Sequence, residues 1–207
     1  MKKKSLRASE QDEAEIAQAR ETWRADIATI PAERLVFLDE TGALTNLVRR
    51  HGWSPCGERA LGTVPCGRWD RVTILGALGL EGIVGAMSIA AAADGAVFHA
   101  YLEQVLLPEL RRVKPDAVLV MDNLNAHKTE AVRALLDGAG FTYRYLPSYS
   151  PDLNPIELAW AKVKAGLRTA AARTVDGLHA ALGPALDAIT AQDAQGFFRH
   201  AGYACPN

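Results

Sequence analysis

The chain has 207 residues, of which 49% are hydrophobic and 23% charged, with a formal net charge of −1. That describes one globular domain, with at most a small appendage, long enough to bury a core. So balanced a charge excludes a global pull toward DNA or acidic membranes, so any nucleic-acid surface must be local. Cys56, Cys66 and Cys205 are odd in number, lack metal-ligand spacing and fit a reduced cytoplasm.

The opening "MKKKSLRASEQDEAEIAQAR" has a basic tip with no apolar segment behind it, which is not the pattern of a secretory signal. Residues 9–29 read as a polar helix opened by the capping-like "SEQD" and closed before Pro31, packed on the domain or leading to something upstream. Residues 1–30 are accordingly taken as a helical linker. "RLVFLDET" follows as a strand, with Leu35, Phe37 and Asp39 on one face and Val36, Leu38 and Glu40 on the other. A strand so apolar on both faces is expected to be buried on both.

From Gly42 to Trp69 the sequence is rich in glycine and arginine without clear period, and reads as an extended arm or irregular hairpin. The run from Ile74 to Ala93 approaches membrane-spanning length. Its four glycines and central Glu81 favour two strands around a "LEG" turn instead. "AVFHAYLEQVLLPELRR" predicts a helix with Phe98, Leu102, Val105 and Leu106 inward. Then come a strand at "DAVLVMDN", a helix at "KTEAVRALLDGAG" ending in glycine, a strand at "FTYRYLP", and helices to the C-terminus. This order predicts an α/β fold, a mixed sheet sandwiched by helices.

Two buried strands carry an aspartate near their C-terminal ends, Asp39 in "VFLDE" and Asp122 in "VLVMDN". Aspartate is a poor strand former and costly to bury. Each either ends its strand in a turn or serves chemistry, and the chemical reading gains if the two strands are neighbours. Carboxylates about 4 Å apart repel by roughly 4 kcal/mol at an effective dielectric near 20, so one takes a proton or both share a cation. Oxygen ligands suit Mg²⁺ or Mn²⁺.

Glu157 has two readings of its own. In "LPSYSPDLNPIELAW" Asn154 suits the N-cap, Pro155 the first helical position and Glu157 the third, as in a capping box. Beyond it, Ile156, Ala159, Trp160, Val163 and Leu167 form an apolar stripe, while Glu157, Lys164 and Arg168 share another face. The two cations lie about 10 and 16 Å along the helix from Glu157, a reach of three to five phosphates on one strand. They form either a solvated face or a phosphodiester contact.

"FLDETG", "RRHGWSPCGERA", "VMDNLNAHK" and "LPSYSPDLNPIELAWAKVK" together resemble the catalytic domain of insertion-sequence transposases of the mariner-like superfamily. The resemblance runs from about residue 31 to the end. It implies a ribonuclease H-like mixed five-stranded sheet flanked by helices, with the first and fourth strands adjacent. It also implies an Asp-Asp-Glu triad at Asp39, Asp122 and Glu157, with 34 residues between the last two. The implied reaction uses two Mg²⁺ ions, with Mn²⁺ as a substitute, to cut DNA at transposon ends and join it to target DNA.

Around that triad, Asn123, His127 and Lys128 are placed to touch substrate phosphates or a metal-bound water. His127 suits a hydrogen-bonding role better than ligation, because a hard cation prefers oxygen. Glu40, on the face opposite Asp39, would support the metal ligands from behind. Arg49, Arg50, His51, Trp53 and Arg59 on the arm would grip DNA backbone, with Trp53 available to stack on a base, or else form a solvated loop. The implied partners are transposon terminal inverted repeats and target DNA, with a homodimer assembled on DNA in the bacterial nucleoid.

About 30 residues precede the first catalytic strand, too few for the usual tandem DNA-binding domains, which implies a separately encoded helix-turn-helix partner. Competing readings are a domesticated or inactive transposase domain, a noncatalytic DNA-binding or assembly protein, and a Mg²⁺-binding receiver-like module. Regular β-α alternation would mark the last, and the glycine-rich hairpin argues against it.

Overall fold

The computed structural model describes residues 8–49 and 51–205. A short 3₁₀ turn at Ser9–Asp12 precedes α1 (Ala14–Ile27), then β1 (Leu35–Leu44), β2 (Arg71–Gly79) and β3 (Gly82–Ile89). Helices α2 (Gly95–Tyr101) and α3 (Leu107–Val113) follow, then β4 (Val118–Met121), α4 (Glu130–Ala139), β5 (Thr142–Tyr145), α5 (Ile156–Ala170), α6 (Val175–Asp187) and α7 (Ala191–His200).

The five strands form one sheet in the order β3-β2-β1-β4-β5. β1 runs antiparallel to β2 and parallel to β4, and β5 runs parallel to β4. The two faces of β1 explain its central place. Leu35 and Phe37 enter a core shared with Trp160, Val163 and Phe198, while Val36 and Leu38 enter one shared with Phe98, Tyr101, Leu106 and Leu136. Helices α1, α5, α6 and α7 thus cover one face and α2, α3 and α4 the other, the mixed sandwich predicted.

The apolar run from Ile74 is the β2–β3 hairpin, turning at Leu80 and Glu81. Gly82 adopts φ of +125° there, which a side chain would resist. Among the described residues no helix is long and apolar enough to cross a membrane. Gly76 serves packing: a Cβ added to it would stand 2.7 Å from the Trp160 ring, so its bareness lets α5 seat directly on β2.

Several local expectations change. "SEQD" forms its own turn without a side-chain cap, and α1 starts after it. The helix after the hairpin is interrupted by a π-turn at Leu102–Leu106. The wider turn rotates the inward stripe, so Leu106, Leu107 and Leu110 are buried while Val105 is only half-buried. Strand β4 ends at Met121, leaving Asp122 just beyond it.

The segment between β1 and β2 is an arm that, among the described residues, has no helix or strand. Its base is closed by Thr45 N–H donating to Asp70 O at 3.1 Å and Asp70 N–H donating to Thr45 Oγ1 at 3.0 Å. Its tip is open to solvent, with Trp53 and Leu61 fully exposed.

Candidate active site

Leu38 pairs with Met121 at the last paired position of β1 and β4, so Asp39 and Asp122 lie side by side where that parallel pairing stops. Asp39 sits midway along β1, which continues to Leu44 against β2, rather than near its end as expected. The adjacency that the paired-carboxylate reading requires is therefore present. Glu157 comes to the same place in the first turn of α5. All three line one pocket of about 410 Å³, together with Asn123, Ser148 and Asn154.

The loop from Pro147 to Pro155 presents Glu157, and its shape is held from the N-terminal side. Arg20 on α1 is buried, grips both carboxylate oxygens of Asp152 at 2.9 and 2.6 Å, and donates to Ser150 Oγ at 2.7 Å. Gln11 Nε2 donates to Tyr149 O at 2.5 Å. Tyr149 itself sits at φ of +55°, a conformation that such fixed neighbours can hold. From the far side Tyr203 Oη donates to Leu153 O at 2.6 Å.

The capping box does not form. Glu157 N–H does bond to the Asn154 backbone carbonyl, at 3.2 Å, but no side chain caps the helix. The buried Asn154 side chain turns instead toward the site, its Nδ2 3.5 Å from Asp39 Oδ2, the outer limit of a hydrogen bond.

Asp39 is buried and its pKa is pushed up to about 8. Burial is the main cause; the Glu157 charge adds to it, as do Glu40 and Asp122, while the Glu40 N–H donated to Oδ1 opposes them. Glu157 is also raised, by desolvation, with Lys164 pulling it down and Asp122 and Glu40 pushing it up. Asp122 Oδ1 accepts Leu124 N–H at 3.1 Å, which turns the chain away from the strand.

His127, fully buried, stands behind Asp122. Its Nδ1 lies 2.6 Å from Asp122 Oδ1 and its Nε2 3.2 Å from Glu40 Oε2. Neither approach is a well-aligned hydrogen bond, since His127 Nδ1 and Glu40 Oε2 lack aligned partners. Burial disfavours the imidazolium, but the two carboxylates outweigh it and raise the pKa to about 9.

The donor set fits a hard divalent cation. Three carboxyls face one pocket, and such a cation would offset both the burial and the carboxylate repulsion that hold a proton on Asp39 up to about pH 8. Among the described residues no three His, Cys, Asp or Glu side chains stand close enough together to grip a metal as they are. The acids converge on a pocket rather than a finished coordination shell.

The outlying candidates divide. Asn123 lines the pocket and donates to Ser148 Oγ at 3.0 Å, leaving its own carbonyl oxygen buried without a partner. Lys128 lies outside the pocket, 5.4 Å over the Tyr145 ring. Lys164 and Arg168 are half-buried on α5. Arg49 and His51 meet Arg168 around a shallow depression of about 400 Å³, and Arg49 Nε donates to Thr169 Oγ1 at 3.3 Å. Trp53 and Arg59 are exposed on the arm, away from both pockets, and Arg50 lies outside the described residues. The grip of Arg20 and Gln11 on the loop carries no sequence signal, because a lone arginine in a polar helix looks solvated.

A family model described as DDE superfamily endonuclease matches residues 34–179, which include all three acids. The chain belongs to that superfamily. Its fold is ribonuclease H-like. It superposes on the Mos1 transposase paired-end complex with left transposon end at a TM-score of 0.76 and 18% identity, over 97% of this chain and 62% of that one. The catalytic domain of Mos1 mariner transposase matches at 0.66 and 15% identity, over 96% and 89%. The Mos1 paired-end complex with Mn matches at 0.75 and 17% identity, over 97% and 62%. The DDE-family chain thus spans less than two thirds of the longer Mos1 chains. No curated protein sequence matches it.

Proposed function

We propose that this DDE-family chain is the catalytic part of a DNA transposase, cutting DNA at transposon ends and transferring the strand into target DNA. The observation that carries the proposal is the convergence of Asp39, Asp122 and Glu157 on one pocket, from the middle of β1, the residue just past β4 and the start of α5. Bound Mg²⁺, with Mn²⁺ as a substitute, supplies Lewis acidity that activates water and then a DNA 3′-hydroxyl toward phosphorus.

In this reading Asp39 and Asp122 hold the cations from the sheet and Glu157 holds them from α5. Ionising Asp39 is coupled to cation binding, because its carboxyl is protonated below about pH 8 without one. Asn123 orients a phosphate or water at the pocket wall. Arg49, Lys164 and Arg168 neutralise backbone phosphates leading away from the pocket, and the arm with Arg50, Trp53 and Arg59 extends that contact. The reading places the protein among DNA in the bacterial cytoplasm, as a homodimer on paired ends with a helix-turn-helix partner for sequence recognition. The Mos1 paired-end assemblies and those with Mn and Mg support the DNA and metal assignments by analogy.

The test is Mg²⁺-dependent cleavage of DNA carrying the element's terminal inverted repeats, with any upstream DNA-binding partner supplied. Cleavage by wild type and loss in Asp122→Asn are expected. Equal cutting by both proteins would refute the triad.

A further inference from the structure

Resting on that reading of the pocket, we infer that His127 and Glu40 form a positioning pair that sets the orientation of the Asp122 carboxylate toward the cation. Asp122 lies just beyond the end of β4. Its Oδ1 is fixed in front by Leu124 N–H and flanked behind by His127 Nδ1 at 2.6 Å. His127 is itself held by two contacts to its ring and one to its backbone. It stacks on Phe98 with centroids 4.0 Å apart, its Nε2 meets Glu40 Oε2 at 3.2 Å, and its carbonyl accepts Tyr145 Oη at 3.0 Å.

The pair also ties the two acidic strands together. Glu40 lies on β1 next to Asp39 but on the opposite face, so the link from Glu40 through His127 to Asp122 joins β1 to the end of β4 behind the pocket. With Oδ1 taken by Leu124 N–H and the imidazole in ion-pair contact beside it, the other carboxylate oxygen is left for the ion, which lowers the cost of gathering the ligands.

The test is Mn²⁺ binding to the full chain, followed by electron paramagnetic resonance without DNA. His127→Leu keeps the volume but removes both nitrogens, and weakens Mn²⁺ binding about tenfold or more. His127→Asn restores a donor near the Nδ1 position and binds within about threefold of wild type, although it too loses the Phe98 stack. That rescue separates positioning from a packing role. Wild-type affinity in a folded His127→Leu protein overturns the inference. If that variant does not fold, Glu40→Ala decides: weaker binding supports the pair, and unchanged binding overturns it. Wild type that binds no Mn²⁺, or binds it unchanged after Asp122→Asn, overturns the pocket reading itself and the inference with it.

Discussion

At the scale of single residues, Asp39 carries the tension in the site. Its carboxyl is buried beside Glu157, Glu40 and Asp122, and its pKa rises to about 8. An unfolded aspartate titrates near 4, so between about pH 4 and 8 the folded metal-free chain holds a proton that the unfolded chain has lost. The unfolded state then binds fewer protons, and stability falls as pH rises through that window. Asp39→Asn accordingly stabilises the metal-free protein at pH 8, by on the order of 1–3 kcal/mol, with little change at pH 4. Denaturant melts at the two pH values check this, and a variant less stable at pH 8 would contradict it.

At the scale of elements, the decisive contact joins α1 to the loop before α5. The bidentate Arg20–Asp152 pair and the Gln11 bond hold the loop that delivers Glu157. Arg20 lowers the Asp152 pKa, so the pair's contribution is present above the unfolded value near 4 and is lost as pH falls through the folded value. Asp152→Asn thus costs about 1 kcal/mol at pH 7, discounted because Asp152 is half open to solvent, and progressively less as pH falls below about 4. Arg20→Ala is costlier, about 2–3 kcal/mol, because it strips buried partners from Ser150 and Asp152. Faster amide exchange in residues 147–155, with β1 and β4 unchanged, is the signature to measure.

The same scale shows what was legible in the sequence. Strand β1 and the hairpin were readable because apolar runs with glycine punctuation have few other folds, and the acids were readable because an aspartate in or just after so apolar a strand is costly without a cause. The Asn154 side chain was misread as a cap because capping is local in sequence, whereas its partner Asp39 is 115 residues away. The π-turn, the Arg20 grip and the Phe98 stack on His127 arise from long-range packing, which leaves no periodic trace. Lys128 looked like a site residue by proximity to Asp122, yet a single turn carried it over to Tyr145.

At the scale of the whole molecule, a net charge of −1 leaves DNA affinity to local groups. Arg49, His51 and Arg168 gather on one side of α5, beyond Lys164 and Glu157 along the same helix. A duplex end reaching the pocket would lay its backbone along that line. Replacing both Arg49 and Arg168 by alanine weakens DNA binding about equally for all sequences and lowers the slope of log affinity against log salt by roughly 2. Titrations at several salt concentrations measure it, and an unchanged slope would remove these residues from the interface.

The central claim is that Asp39, Asp122 and Glu157 act as one cleavage centre. Because no side-chain cap involves Glu157, Glu157→Gln isolates chemistry from folding. The most direct measurement is single-turnover, Mg²⁺-dependent cleavage of terminal-repeat DNA by Asp39→Asn, Asp122→Asn, Glu157→Gln and the triple variant. Groups that work as a unit give single losses about as large as the triple loss, on the order of 10³-fold or more, with folding intact. A folded Glu157→Gln protein that cleaves at the wild-type rate would contradict the account.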